Sequence, residues 1–454
     1  MIRKLVTALR HPVSRNVIAL YGLQIATFVI PVITLPYVSR VLRPSGYGLV
    51  VFSQGLAFVL VVLIDWGFSL TGIRSTAESG ATGEGLSEIV RRVRGAQILL
   101  AAVSAIPAVA ILFAVPKMRA NPEFMVFAWI AAVATGLSPG WFFLGTERMR
   151  LMTAIQIGCR AVGAALTFVF VRGPSDAWIV MALYAGTSVL SLLCADLLMY
   201  RNEVRRRLPQ VRASLREIRG ATMLFLGTIA VTLYTSLNVV LLGLFKPSSA
   251  VGHFGAAERI VRVSMTVLAP IGTAVIPRLV SLQAAGDRDR ARKLLTIVLA
   301  VVALPATALA GILVAAAPLV IRIIYGARFV DGSVPVLRVL AWLIPINVVG
   351  VVFGTWLMSL HRDRLVAAVV LVAGVTNVCV GCVLVNVIGT IGMAWSVLIA
   401  EATAALGGFA MARRVARRAS RDGPSADAAD PDAEAALIRA EIADAAAIQA
   451  DVSG

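Results

Sequence analysis

Ionisable side chains stand inside the apolar runs of this sequence: Asp65, Arg160, Asp196, Glu258, Arg259, Arg262, Arg338 and Glu401. Arg40, Arg74 and Arg278 lie near the ends of such runs, and Asn238 is a polar neighbour. Placing one such group at the centre of a bilayer costs at least about 2.5–3.5 kcal/mol, so it is expected to face a bundle interior, a wet cavity or a partner. Guanidinium groups bind phosphate and carboxylate through paired, charge-assisted hydrogen bonds, and they lead this set, which suits an anionic cargo. Asp65, Glu258, Glu401 and Asn238 are the candidates for a coupling proton or sodium ion.

Local roles compete with these. Glu258 and Arg262 are spaced i, i+4 and neutralise one another if they share a helix face. Asp196 lies about a turn from the end of its run, within reach of a basic loop. Arg74 and Arg278 fit contacts to lipid phosphates. Arg160 is deeper in its run and has no such local outlet. Glu401, near the middle of the last run, reads equally well as a proton-titrating group or as the buried partner of an arginine.

The elements that must position these groups are membrane spans. Of the 454 residues 59% are hydrophobic and only 15% charged, against about 45–50% and about 25% in soluble domains. A span needs about 20 apolar residues, and roughly twelve such segments follow one another: 17–38, 48–72, 95–115, 124–144, 153–171, 178–200, 221–245, 251–280, 294–317, 334–359, 365–387 and 389–412. The fold class is therefore all-α and polytopic. The formal charge of +18 would suggest nucleic acid in a soluble protein. Here Lys and Arg sit mostly between apolar runs, where they set orientation and contact anionic lipid, and no nucleic-acid partner is expected.

Every second loop is rich in arginine, notably Arg91, Arg92 and Arg94, then Arg205, Arg206 and Arg207, then Arg288, Arg290 and Arg292. The intervening loops carry far fewer cations, which places both termini in the cytoplasm of a cell whose inner membrane the chain spans. The basic N-terminus, "MIRKLVTALRHPVSR", reads as the start of an uncleaved first span. The long loop "YRNEVRRRLPQVRASLREIRG" divides the spans into halves of about six each, giving parallel lobes over 1–210 and 211–412 around a central cavity. A weak repeat agrees. "RPSGYG" at 43–48 echoes "KPSSAVG" at 246–252, and Gly48 and Gly252 are as far apart in sequence as Arg74 and Arg278. Residues 413–454 have a basic head and an Ala/Asp-rich remainder with too few large apolar residues to fold alone, so they read as a cytoplasmic tail, largely disordered.

No Walker loop is present and the outward loops are too short to house a catalytic domain, so neither an enzyme nor a cofactor is expected. Cys159, Cys194, Cys379 and Cys382 all lie in apolar runs, and the C-x-x-C of the last pair lacks a second Cys or His pair, so helix packing is favoured over a metal. Prolines in or at the ends of spans, among them Pro107, Pro270, Pro305 and Pro345, point to kinked helices lining a cavity.

The order of short motifs resembles the polysaccharide-export flippases, whose superfamily also holds multidrug and toxin extruders and peptidoglycan lipid flippases. The residues concerned are Tyr21, Gln24, Leu35-Pro36-Tyr37, Arg40-Val41-Leu42, Pro44 and Gly46-Tyr47-Gly48, then Phe52-Ser53-Gln54 and Asp65-Trp66-Gly67-Phe68-Ser69-Leu70 with Arg74. In the second half they are "VGHFGAAERIVRV" at 251–263, Ile276-Pro277-Arg278, "APLVIRIIYGARF" at 317–329, "VPVLRVLAWLIP" at 334–345 and "LHRDRL" at 360–365. There are two departures. Arg43 stands where the family usually has glycine, and Asn238 where an acid is frequent. The resemblance implies two six-helix lobes working by alternating access on a lipid-linked oligosaccharide, with membrane lipids and polysaccharide polymerases or glycosyltransferases as partners. It implies that Arg160, Arg259, Arg262 and Arg338 hold the diphosphate, with Arg40, Arg74 and Arg278 along the path. An extruder of cationic drugs and a peptidoglycan-precursor flippase are the alternatives within the superfamily.

Overall fold

In a computed structural model the described residues are 12–78, 83–202, 204–205, 207–235, 237–284, 288–359 and 363–421. Among them every regular element is a helix. The first half comprises α1 (Pro12–Asp65), α2 (Phe68–Glu78), α3 (Gly83–Ala114), α4 (Pro116–Ala120), α5 (Pro122–Gly136), α6 (Gly140–Gly145), α7 (Met149–Phe170) and α8 (Ala177–Asn202). The second comprises α9 (Val211–Thr235), α10 (Asn238–Phe245), α11 (Ser248–Ala284), α12 (Arg288–Ala315), α13 (Ala317–Ile324), α14 (Val330–Leu340), α15 (Leu343–Ser359), α16 (Asp363–Ile388) and α17 (Thr390–Arg421). The expected tail lies outside the described residues beyond Arg421, as does the start of the chain before Pro12. By length and apolarity eight helices among the described residues suit a membrane crossing, or nine if α12 and α13, bent by 74° at their junction, form one broken span. Of the remaining expected spans, the first two run together in α1, the seventh is divided between α9 and α10, and the eighth lies within α11.

The merger in α1 hides a real corner. Arg43 has φ 58° and ψ 172°, a conformation that interrupts the helix and that L-residues rarely adopt. The position the family fills with glycine thus keeps a glycine-like backbone here, with an exposed arginine on it. Trp66 and Gly67, with φ of 46° and 85°, then end α1 and start α2.

The two halves meet along α1 and α11, and the repeat seen in the sequence lies in that seam. A Cβ at Gly48 would stand 1.7 Å from the Ser248 carbonyl oxygen, and one at Gly252 2.2 Å from that of Pro44. Only hydrogen fits, so the two backbones touch at the corner of each half. Around this contact Phe52 packs on Gly243, and the Tyr47 ring meets those of Tyr325 and Phe329 edge-on, with centroids 5.9 and 5.7 Å away. Lys117 donates to the Lys246 carbonyl at 2.8 Å across the same seam, with its ammonium 4.7 Å from the Phe52 ring centroid. The Arg43 end of the bundle is therefore sealed. At the Arg74 end the halves also touch through α9, where Phe225 stacks on Trp66 at 3.7 Å and Ser214 lies against Gly95.

Candidate functional site

Below the sealed corner lies a cavity of about 400 Å³ between α1, α7, α8 and α11. Tyr47 and Gln54 line it from α1, Arg160 and Thr167 from α7, Tyr184 from α8 and Arg259 from α11. Each is placed by helix periodicity. On α7, Cys159 is buried in the packing while Arg160, one position on, is turned out into the cavity. On α11, Ala256, Ala257 and Ile260 are buried in the packing while Arg259 is exposed to the cavity. The structure thus brings together Arg160 and Arg259, one from each half, and among the described residues no ion pair engages either. No acidic residue lines the cavity. Tyr47 sits at its roof with a buried hydroxyl that has no hydrogen-bond partner. The arrangement puts two guanidinium groups without ion pairs beside the Tyr184 phenol in one cavity, a donor set that chemically suits a multiply charged oxyanion.

The remaining candidates are placed elsewhere. Arg262 is bonded to Glu258 at 2.7 Å, the i, i+4 pair that the spacing allowed, and neither lines the cavity. Arg40 reaches across to the Ile323 carbonyl, in the last turn of α13. It stands in the last turn before the Arg43 break in α1, and the carbonyl it meets belongs to a helix end in the other half. Arg338 is exposed on α14 and lines no part of the cavity, and Arg74 is exposed on α2. Arg278 lies on α11, but its side chain is outside those described. Asp65 accepts bonds from the Ser69 backbone N–H at 3.2 Å and from the Ser69 hydroxyl, so it caps the start of α2. Asp196 pairs with Arg94, which also donates to the Leu137 carbonyl.

Glu401 is 8% exposed and accepts a 2.6 Å bond from the Asn347 side-chain nitrogen. Asn238 is 1% exposed and belongs to a second polar cluster in which Asn377 donates to its side-chain oxygen at 2.6 Å while Ser396 donates to that of Asn377 at 2.8 Å. The Nδ2 of Asn238 has no partner there. Among the described residues no group of His, Cys, Asp and Glu is placed to hold a metal.

Tyr47, Gln54 and Tyr184 were not singled out from sequence. Tyr47 was visible in the Gly46-Tyr47-Gly48 turn and Gln54 in Phe52-Ser53-Gln54. Tyr184 carried no signal beyond being a polar aromatic inside an apolar run.

The family described as "Polysaccharide biosynthesis protein" matches residues 13–283, and the MatE family matches 224–383. A protein called "Putative O-antigen transporter" from Escherichia coli (strain K12) is 27% identical over 364 residues, 79% of this chain and 86% of its own. One of the same name from Shigella dysenteriae is 27% identical over 276 residues, 60% of this chain and 68% of its own. Among solved structures, the inward-facing conformation of a multidrug resistance MATE family transporter of the MOP superfamily superposes with a TM-score of 0.64 at 15% identity, over 87% of this chain and 99% of that one. The inward closed conformation of the lipid II flippase MurJ gives 0.62 at 13% identity, over 87% of each chain. At these identities the structures establish a common fold.

Proposed function

We propose that the chain, which belongs to the polysaccharide biosynthesis protein family, is a flippase for polyprenyl-diphosphate-linked oligosaccharide. It carries the diphosphate and its sugars through the cavity between the halves while the lipid tail stays in the bilayer. The observation that carries this reading is the pairing of Arg160 with Arg259 across a cavity without an acidic lining residue. Arg94 and Arg262 have acidic partners, whereas Arg160 and Arg259 are exposed to one cavity without one, which favours an anionic ligand there. A cationic drug would want the opposite lining.

Loop charge supports the Arg43 end as the outward face. On this reading the sealed seam is the outer gate. Moving one charge through 100 mV is worth about 2.3 kcal/mol, so a diphosphate with roughly two negative charges gains about 4–5 kcal/mol on leaving a negative interior. Asp65 and Glu401 are the candidates for resetting the empty carrier with a proton or sodium ion.

The test is flipping of labelled lipid-linked oligosaccharide in proteoliposomes by wild type, Arg160→Ala and Arg259→Ala. One charge-assisted bond is worth about 1.5–3 kcal/mol, so each variant should lose roughly tenfold or more in apparent affinity. Unchanged flipping in both removes the site, and efflux of a cationic dye in place of lipid flipping selects the extruder reading.

A further inference from the structure

Beside the central cavity lies a smaller chamber of about 130 Å³, walled by α5, α7, α8 and the turn after α5. The two spaces share Arg160, Tyr184 and Thr187. A group held by the Arg160 guanidinium in the first therefore stands at the entrance to the second. The rest of the lining is rich in neutral hydrogen-bonding side chains: Thr135, Ser138, Gln156, Ser188 and Ser191. Apart from Arg160, none of the lining residues is ordinarily charged.

Those side chains depart from the habit of this chain. A hydroxyl inside a membrane helix commonly donates to the carbonyl four residues back, which satisfies it without a ligand. Thr167, Thr222, Thr232 and Thr403 do so at 2.7–2.8 Å, and Ser188 bonds the Tyr184 carbonyl at 2.8 Å. Thr135, Ser138, Gln156 and Ser191 do not, because among the described residues no hydrogen bond engages their side chains. Thr135 and Gln156 are exposed and Ser138 and Ser191 half-buried, so their polar groups stay open to the chamber, where water or a polyhydroxylated ligand completes them. The volume suits one pyranose ring and not a whole oligosaccharide repeat. Tyr184 adds an aromatic face, on which the C–H side of a sugar ring packs.

We infer that this chamber is a monosaccharide subsite. It takes the sugar attached directly to the diphosphate and recognises its hydroxyls through Thr135, Ser138, Gln156 and Ser191. Sugars further along the chain remain in the larger cavity. The inference rests on the reading of Arg160 and Arg259 as diphosphate ligands, because that reading brings the first sugar to this entrance.

The experiment measures binding to the full-length protein in nanodiscs. The probes are bare undecaprenyl diphosphate and a panel of the same lipid carrying a single glucose, galactose, N-acetylglucosamine or N-acetylgalactosamine. At least one sugar-bearing probe should bind roughly tenfold more tightly than the bare lipid. Gln156→Ala combined with Ser191→Ala should erase that gain and leave affinity for the bare lipid unchanged, which also reports an intact fold. The subsite is overturned if no sugar in the panel improves binding, if the gain survives in the double variant, or if the double variant weakens bare and sugar-bearing probes alike. Failure of the diphosphate reading is separate: bare lipid would then bind wild type and Arg160→Ala equally.

Discussion

Replacing Gly48 by alanine tests the sealed corner with the smallest possible change. A Cβ there would lie 1.7 Å from the Ser248 carbonyl oxygen and 2.6 Å from the Gly252 nitrogen, against 3.4 Å or more for an ordinary contact. Both near atoms are backbone, so no rotamer change relieves the clash. The corners must separate by roughly 1.5 Å, and overpacking of this kind costs about 1–3 kcal/mol. That energy acts on the state in which the corners touch and not on one in which they part, so it shifts the closed-to-open ratio by about 5- to 150-fold. Spin labels on exposed Ser45 and Arg328, which flank the corner from opposite halves, report their separation by pulsed dipolar spectroscopy. Gly48→Ala should move the distribution to longer distances, and lipid flipping should fall because the cavity no longer seals. Gly140→Ala, where nothing lies within 4 Å of the added carbon, is the control and should do neither. An unchanged distance distribution in Gly48→Ala would refute the reasoning that glycine contact closes this end.

Other outcomes follow from single residues. Arg43 holds φ 58° with ψ 172°, which costs an L-residue about 1–3 kcal/mol, so Arg43→Gly should raise the melting temperature in detergent; a fall would show that the arginine's own contacts outweigh its strain. Burial pushes Lys117 down to about 8 from 10.5, and opening of the seam would restore the ordinary value. Between about pH 8 and about pH 10.5 the closed form then binds fewer protons than the open one, so closure is favoured as pH rises through that window. Below it both forms are protonated and the closed one carries the full desolvation penalty. The same spin-label distance should shorten from about pH 7 to about pH 9.5, and Lys117→Met should abolish that dependence. Asn377→Ala removes the partner of both Asn238 and Ser396 inside a buried cluster and should destabilise by about 2–3 kcal/mol. Asn386→Ala, on an exposed residue bonded to the carbonyl four positions back, should change melting far less.

What the sequence alone determined is what bilayer solvation and local spacing dictate. Apolar runs long enough to cross a membrane leave the backbone no choice but helix. The i, i+4 spacing of Glu258 and Arg262 shows on one helix as the 2.7 Å pair that periodicity allows. That Arg43 stands where the resemblance expects glycine was also legible, and the structure supplies the turn geometry the sequence left open, with φ 58° there. Which of the charges in apolar runs face the cavity was not legible. Arg160, Arg259, Arg262 and Arg338 are alike as residues in apolar runs, yet only the first two line the space between the halves. Facing is set by the rotation of each helix against neighbours distant in sequence, which burial of residues such as Cys159, Ala256 and Ile260 decides collectively. The reach of Arg40 to the end of α13, the meeting of Gly48 with the 248–252 backbone, and the uncommitted hydroxyls beside Arg160 are likewise products of tertiary packing. Each depends on where a second chain segment happens to end or approach, and no spacing within one helix encodes that.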